Sequence, residues 1–303
     1  MHGATFVRAG ETHHRVITFF TIPKPFRGHE AIIQTNAIRS WQRLRPACEV
    51  ILFGDEEGIA EAAAEHGVRH ELRLVRNEHG TPKLDSTFDR AQDLATHQVM
   101  CYINGDIILT GGVLEAVRRV QATTDRYLIV GRRCNLDVTE LIDFNAPDWE
   151  SRLVATMRAQ GEMAPHNNID YFIFPKGQFR HVLKPFLVGR PYWDNWMLWK
   201  ARDIGARLID ATPSITAIHQ NHGGRSWHIK GTLHNDEGND NYRLLGSGLH
   251  GYAINNATHF LEPTGLRVRK GYQLDQARMI TRKLWERLRT FDLRSPAARQ
   301  ASA

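Results

Sequence analysis

The segment Asn104-Gly105-Asp106 is the first place in this sequence where side chains could do chemistry. It follows the apolar run 99–103 and precedes a second apolar run, 107–109. A carboxylate after a buried strand, with an amide two residues before it, supplies the oxygen ligands that Mg²⁺ and Mn²⁺ bind, often together with diphosphate oxygens. Gly105 would let the backbone approach a ligand closely. The alternative interpretation is a turn in which Asn104 and Gly105 only provide the backbone angles.

A second candidate, Asp194, stands among three aromatic residues, Tyr192, Trp193 and Trp196. Aromatic faces can stack on sugar rings, and apolar neighbours raise a carboxyl pKa toward the range that suits a general base. The segment is therefore a candidate for a catalytic base with an acceptor-binding surface. The other interpretation makes Asp194 the N-cap of a helix, where it accepts backbone N–H groups. Asp170, directly before another predicted strand, is a competing base or an acceptor-binding carboxylate.

His219 and His222 form the third candidate group. Histidine is the commonest metal ligand in proteins, although a single histidine is usually structural. On an extended segment, residues three apart point to opposite faces, so we expect only one of the two to bind a metal. A zinc site of the His-x-x-His type would need further ligands at recognisable spacing, and the sequence offers none.

Two basic residues complete the candidate set. Arg133 follows the predicted strand 127–131, and Lys83, one of only eight lysines, ends a polar loop before a predicted helix. Both side chains offer charge-assisted hydrogen bonds to phosphate, and Arg133 offers them to an acceptor as well. Solvated surface positions are the alternative for both residues.

The elements that must hold these side chains alternate between strands and helices. Apolar, β-branched runs predict strands, and apolar residues at helical spacing predict helices. The predicted strands lie at 16–21, 49–53, 99–103, 127–131, 171–175 and 207–210, and the predicted helices at 30–44, 59–66, 84–97, 148–160 and 193–204. This order predicts an α/β fold whose mostly parallel sheet has helices on both faces. Such sheets bind ligands at the carboxyl ends of their strands.

Length and composition are those of a globular protein. The chain has 303 residues, of which 42% are hydrophobic and 24% charged, and this excludes disordered, collagen-like and coiled-coil classes. We predict one large domain over residues 1–260 and a C-terminal helical appendage over 261–303, with a basic amphipathic helix at 274–291 and a disordered tail at 295–303. Residues 221–251 are rich in Gly, Asn, His and Asp, which predicts a long mobile loop that could close as a lid.

Charge and cysteine content narrow the function classes. A net charge of +6, with 31 arginines among the 39 basic residues, favours an anionic ligand, although arginine richness also follows from genomic base composition. The basic residues are scattered, so no nucleic acid partner is predicted. Three cysteines without a CxxC pair, no signal segment and no apolar run of roughly 18 residues predict a cytoplasmic protein. The basic C-terminal helix could contact the inner face of the membrane peripherally, but packing against the main domain is the preferred interpretation.

Together these segments resemble GT-A-fold glycosyltransferases of the inverting, family-2-like kind, which transfer a sugar from a nucleotide diphosphate sugar. The resemblance covers roughly residues 15–222. It rests on the strand 17–20, on Asp55 after the second strand, on Asn104-Gly105-Asp106 as a counterpart of the Asp-X-Asp element, and on the aromatic-acidic segment near Asp194. Asn104 stands where that element has its first Asp.

The resemblance implies a role for each candidate. Asp106 would hold Mn²⁺ or Mg²⁺, with His222 preferred over His219 as a further ligand. Asp194 would deprotonate the acceptor, a hydroxyl of a glycan or lipid-linked glycan, and inversion is expected because it needs only one such base. The predicted nucleotide-sugar site comprises Thr18, Thr21, Asp55, Lys83, Asn104, Gly105 and Arg133, of which Asn104 would contact ribose or metal.

The sequence leaves two other functions open. A sugar-1-phosphate nucleotidyltransferase shares the fold class, but it needs a Gly-rich basic loop directly after the first strand, where residues 21–28 hold a single Gly. A non-catalytic module that binds glycan or nucleic acid would also account for the basic and aromatic residues.

Overall fold

The computed structural model describes residues 17–222 and 236–272, together with Ala277 and Thr281. The chain divides into two units, Met1–Arg267 and Val268–Ala303. The predicted C-terminal helix, apart from those two residues, and the predicted tail lie outside the described residues, as does the part of the predicted lid from 223 to 235. The predicted domain boundary after residue 260 stays a prediction.

The described residues contain both kinds of element in alternation. The strands are β1 (Thr18–Thr21), β2 (Glu49–Phe53), β3 (Arg69–Glu71), β4 (Val99–Ile103), β5 (Ile107–Leu109), β6 (Tyr127–Val130), β7 (Cys134–Leu136), β8 (Glu162–Met163), β9 (Tyr171–Pro175), β10 (Arg207–Asp210), β11 (Ala217–Gln220), β12 (His259–Glu262) and β13 (Gly265–Val268). The helices are α1 (Gly28–Arg43), α2 (Ile59–His66), α3 (Leu84–Leu94), α4 (Gly112–Gln121), α5 (Trp149–Gln160), α6 (Trp193–Asp203) and α7 (Asp236–Leu245). Within the described ranges, no helix combines the length and the apolar character needed to cross a membrane.

Nine of the described strands form one sheet in the order β13-β12-β10-β6-β9-β4-β1-β2-β3. The pairs β1–β2, β1–β4, β2–β3, β6–β10 and β10–β12 are parallel, whereas β9 runs antiparallel to both β4 and β6. Parallel neighbours need crossover connections, which helices supply. The prediction of an α/β fold with a mostly parallel sheet is confirmed.

The two faces of this sheet carry separate apolar cores, because successive side chains of a strand point to opposite faces. In β4, Cys101 and Ile103 belong to one core, and Met100 and Tyr102 to the other. Helices α1, α2 and α4 cover the first core, and α3 and α6 cover the second, so the prediction of helices on both faces is also confirmed. Strands covered on both faces have continuous apolar sequences, and for this reason the sequence located them well.

A second sheet, in the order β5-β11-β7-β8, packs against α1. Trp41 Nε1 donates to the carbonyl of Ile107 at 3.0 Å, and the Leu109 N–H donates to Ser40 Oγ at 3.3 Å. These bonds tie α1 to β5. The sequence analysis did not predict this sheet, since its strands are short and β5 pairs with β11 across a long stretch of chain.

The predicted mobile loop over 221–251 is wrong in part, because residues Asp236–Leu245 form α7. The helix contains a glycine, Gly238, and two asparagines, so its intrinsic helix propensity is low. Tertiary contacts hold it instead: the buried Asn241 accepts the N–H of Leu187 at 2.8 Å and donates to the Leu187 carbonyl at 3.1 Å. Packing of this kind supplies most helical stability in proteins.

Gly131, directly after β6, leaves room for the Tyr171 side chain. A Cβ at this position would lie 2.1 Å from Tyr171 Oη. We therefore expect Gly131→Ala to lower the free energy of unfolding by about 1–3 kcal/mol, the usual cost of overpacking. Urea denaturation followed by circular dichroism measures this loss. Gly248→Ala is the matched control, since a Cβ there meets no atom of the described residues within 4 Å, and an equal loss in both variants would contradict the packing argument.

Candidate active site

The carboxyl ends of the parallel strands meet at one edge of the large sheet, and β9 begins at that edge because it runs the opposite way. Asn104 directly follows β4, and Asp170 directly precedes β9. The register that pairs Ile103 with Tyr171 continues into these residues, so the Asn104 N–H donates to the Asp170 carbonyl at 2.9 Å. An amide and a carboxylate that are 66 residues apart in the sequence are thereby neighbours.

The pairing of β5 with β11 brings Asp106 to the two histidines. Ile107 pairs with His219 in an antiparallel ladder. The ladder extends by one residue, because the Gln220 N–H donates to the Asp106 carbonyl at 3.2 Å. The buried Gln220 side chain donates to the same carbonyl at 3.1 Å. Asp106 is therefore held beside the strand that carries His219, and His222 follows just after that strand ends.

Asp106, His219 and His222 form a cluster in which one potential metal-ligand atom from each residue lies within 4.8 Å of the others. His222 Nε2 is 3.2 Å from Asp106 Oδ2, and His219 Nε2 is 3.5 Å from the same oxygen. The expectation that the two histidines would point to opposite faces is wrong, because both Nε2 atoms lie beside the same carboxylate oxygen. β11 ends at Gln220, so His222 no longer follows the alternation of an extended strand.

The electrostatics of this cluster suit a divalent cation. Burial alone would raise the pKa of Asp106, but the side chains of His219 and His222 outweigh burial and hold the pKa well below its ordinary value. In the part of the chain that the structure describes, Asp106 Oδ1 and His219 Nδ1 are buried without hydrogen-bond partners. Such atoms are rare, and a bound ion is one way to satisfy them. One carboxylate and two imidazoles fit Mn²⁺ better than Mg²⁺, which prefers oxygen ligands.

Asp170 is buried in a network with Arg133 and Asn104. Asn104 Nδ2 donates to Asp170 Oδ1 at 2.6 Å, and Arg133 Nη1 lies 2.6 Å from Asp170 Oδ2. Asp170 Oδ1 thus accepts a hydrogen bond, and Oδ2 forms an ion pair with the Arg133 guanidinium. This arrangement suits a residue that positions its neighbours better than one that accepts a proton from an acceptor.

Asp194 lies in the first turn of α6, whose N-cap is Tyr192, so the interpretation of Asp194 as an N-cap is wrong. Its carboxylate instead accepts the N–H of Asn195 at 2.9 Å. Burial is the main cause that raises the pKa of Asp194 to about 7, and the charge of Asp170 adds to it. The Asn195 N–H and the charge of Arg133 act in the opposite direction. A carboxyl group with this pKa can take up or release a proton near neutral pH.

The three aromatic residues predicted to bind an acceptor differ in what they contact. Trp193 and Trp196 are buried in an apolar core. The Trp193 ring packs on Tyr102 with centroids 5.2 Å apart, and the Trp196 ring packs on Phe186 at 5.3 Å. Protein covers these rings, which contradicts the prediction that they bind an acceptor. Tyr192 is partly exposed and stays a candidate.

The two threonines predicted for the nucleotide pocket lie at opposite ends of β1. Thr18 is its first residue and lies at the amino edge, where its buried hydroxyl donates to Glu49 Oε2 at 2.6 Å. This position contradicts its predicted role. Thr21 is the last residue of β1 and lies at the carboxyl edge. Its buried hydroxyl has no hydrogen-bond partner among the described residues.

The other predicted nucleotide-site residues lie in connections around this edge. Asp55 follows β2 and is exposed, and its hydrogen bond and ion pair with Arg76 lower its pKa. Lys83 directly precedes α3. At Gly105, a Cβ would lie 3.1 Å from Gln34 Oε1, so the missing side chain serves close packing against α1.

Sequence reasoning missed two polar residues beside the metal-type cluster. Gln220 fixes the backbone of Asp106, and its signal was a polar residue next to His219 in an otherwise apolar strand. Glu30 Oε1, on α1, lies 3.8 Å from His222 Nδ1. Glu30 carried no local signal, since an acidic residue in the first turn of a helix is ordinary.

The fold and the site together define an α/β protein with a candidate metal centre, and with a carboxyl group of raised pKa, at the carboxyl edge of its sheet. The sequence matches no protein-family model and no curated protein. Solved structures do match it, among them S. aureus TarS in complex with UDP-GlcNAc, at 12% identity and a TM-score of 0.47 over 69% of this chain. Another is the mannosyltransferase PcManGT from Pyrobaculum calidifontis in complex with GDP-Man and Mn²⁺, at 14% identity and a TM-score of 0.44 over 71% of this chain.

This chain covers 59% and 60% of those two chains, which is about three fifths of the length of each. Likeness at these identities and TM-scores does not establish a function for this chain, and the function proposed below rests on the site.

We expect the chain to bind Mn²⁺ and Asp106→Ala to weaken the affinity roughly 100-fold or more, because the variant loses the one carboxylate of the cluster. Isothermal titration calorimetry, or electron paramagnetic resonance of free Mn²⁺, measures the affinity. Asp125→Ala is the matched control, since Asp125 is an exposed aspartate outside the cluster. Equal affinities for the two variants would show that the ion binds elsewhere.

The raised pKa of Asp194 has a consequence for stability. The folded value, about 7, lies above the ordinary 3.8, so the folded chain holds this proton more tightly than the unfolded chain does. Stability is therefore lost as the pH rises from about 4 to about 7. We expect Asp194→Asn to match the wild type at pH 4 and to be more stable at pH 8, as measured by urea midpoints. A variant that gains nothing at pH 8 would argue against burial as the cause.

Proposed function

We propose that the chain is a metal-assisted GT-A-type glycosyltransferase, which transfers a sugar from a nucleotide diphosphate sugar to a hydroxyl of a glycan or lipid-linked glycan. The observation that carries the proposal is the Asp106, His219 and His222 cluster at the carboxyl edge of a mostly parallel sheet. The proton-exchanging carboxyl of Asp194 supports it. The transfer needs a charge to neutralise a departing diphosphate and a base to activate a hydroxyl.

On the donor side, Asp106, His219 and His222 would hold Mn²⁺, which when bound supplies positive charge to the leaving diphosphate. Arg133 would add to this charge. Its Nη1 is committed to Asp170, but its buried Nε has no hydrogen-bond partner among the described residues and could donate to a phosphate oxygen. Thr21 similarly offers an unused hydroxyl at the same edge.

On the acceptor side, Asp194 is the preferred base. Its carboxylate would accept the proton of the acceptor hydroxyl as the acceptor oxygen forms a bond to the anomeric carbon. The bond from that carbon to the diphosphate breaks in the same displacement, and the nucleotide diphosphate carries the electron pair away. Asp170 is less suited to this role, because Arg133 and Asn104 occupy its carboxylate. One base opposite the leaving group favours inversion at the anomeric carbon.

We also propose that the reaction takes place in the cytoplasm and that the chain could contact the membrane peripherally. Both points stay predictions, since the helix on which the membrane contact was based lies almost entirely outside the described residues.

Mutation of the base separates chemistry from binding. We expect Asp194→Asn to lower the rate of sugar transfer by about 10²–10⁴-fold, the usual contribution of a general base, with nucleotide affinity unchanged. The wild-type rate should rise with pH up to about 7, because the base must be ionised. The measurement is a release assay for nucleoside diphosphate over a panel of nucleotide sugars, with and without Mn²⁺.

Asp125→Asn, at an exposed position, is the control for this assay. Full transfer by Asp194→Asn would remove Asp194 from the mechanism. Failure of every nucleotide sugar to bind or react, with and without Mn²⁺, would overturn the proposed function as a whole.

A further inference from the structure

Two tyrosines from distant parts of the chain form an aromatic pair next to the proposed base. Tyr192 is the N-cap of α6, and Tyr242 lies on α7. Their ring centroids are 5.4 Å apart and their planes are inclined by 59°. Tyr242 is 56% exposed, and Tyr192 is partly exposed, so the pair presents aromatic surface to solvent. The buried Trp193 and Trp196 do not present such a surface.

The backbone at Tyr192 is strained. Its φ is +84°, in the left-handed region that a side chain other than glycine's rarely adopts. Such a conformation persists only where its surroundings fix it, and it occurs preferentially at functional sites. Here the Tyr192 carbonyl accepts the N–H of Trp196 at 2.9 Å in the first turn of α6. Tyr192 therefore lies at the start of the helix that carries Asp194, two positions before it.

Helix α7 is fixed against the loop that leads to Tyr192. The fully buried Asn241 donates to the Pro191 carbonyl at 3.1 Å. The buried carboxylate of Glu237 accepts Arg190 Nε at 2.9 Å and Thr81 Oγ1 at 2.5 Å. These contacts hold the helix of Tyr242 to the two residues that directly precede Tyr192, so the two rings are preorganised relative to each other.

We propose that Tyr192 and Tyr242 form a subsite that binds one sugar ring of the acceptor. The C–H face of a pyranose is apolar and packs on aromatic rings, while tyrosine hydroxyls donate hydrogen bonds to its hydroxyl groups. Tyr192 and Asp194 are two positions apart in the sequence, so their Cα atoms are at most about 7 Å apart, roughly the width of one sugar ring. This subsite rests on the proposed function, since it assigns the ring to the molecule that Asp194 would deprotonate.

Binding can be tested without turnover. Saturation-transfer NMR on the full chain, with methyl glycosides of glucose, galactose, mannose and N-acetylglucosamine as probes, should detect contact with at least one pyranose. Tyr242→Ala should weaken that binding about 10-fold, and Tyr242→Phe, which keeps the ring, should retain most of it. Leu141→Ala is the matched control, because Leu141 is also 56% exposed. Once a transfer assay exists, Tyr242→Ala should raise the acceptor KM and leave the donor KM unchanged.

Three results would overturn the subsite. The first is unchanged glycoside binding in Tyr242→Ala, and the second is no contact between the wild type and any of the four glycosides. The third is a concentration-dependent dimer that Tyr242→Ala abolishes. The last outcome would assign the pair to contact between copies of the chain. Mn²⁺ binding and nucleotide binding are measured separately. If the subsite fails, the proposed transfer reaction still stands. If the proposed reaction fails, the absence of donor binding shows it.

Discussion

The candidate site depends on one strand that runs against its neighbours. A parallel β9 would begin at the amino edge of the sheet and would carry Asp170 away from Asn104. Because β9 is reversed, it begins where β4 and β6 end, and Asp170 meets both Asn104 and Arg133 within hydrogen-bond distance. The charge of Asp170 in turn contributes to the raised pKa of Asp194. A single reversal of direction thus connects three segments of the chain electrostatically.

The small sheet adds the second half of the site. Helix α1 holds β5 through Trp41, and Gln220 holds Asp106 through its backbone carbonyl. His222 reaches the Asp106 carboxylate although 116 residues separate them. Several polar atoms here are buried without hydrogen-bond partners among the described residues, and a carboxyl group with a raised pKa weakens the fold at neutral pH. Such losses of stability are expected where a protein keeps polar groups available for chemistry. The two apolar cores on the faces of the large sheet compensate for them.

Much of the large sheet could be predicted from the sequence. The strand Val99–Ile103 and the helix Ile59–His66 have the predicted bounds, because burial on both faces leaves an uninterrupted apolar run and burial on one side leaves helical spacing. Helix α7 was missed, because hydrogen bonds of Asn241 to a distant loop hold it in place of local propensity. Candidate residues were found by their position after strands, but Thr18 shows that such a position must be assigned to the correct end of the strand.

The sequence by itself determined most strands and helices of the large sheet and the polar residues between them, since the alternation of apolar and polar side chains is a local property of the chain. Only the tertiary structure decided which of those residues meet. Strand register brought His219 to the Asp106 carboxylate, and the end of β11 at Gln220 let His222 join it. Core packing buried Trp193 and Trp196 while leaving Tyr192 beside Tyr242. The physical reason is that register and burial arise from contacts between segments far apart in the chain, which no local pattern records.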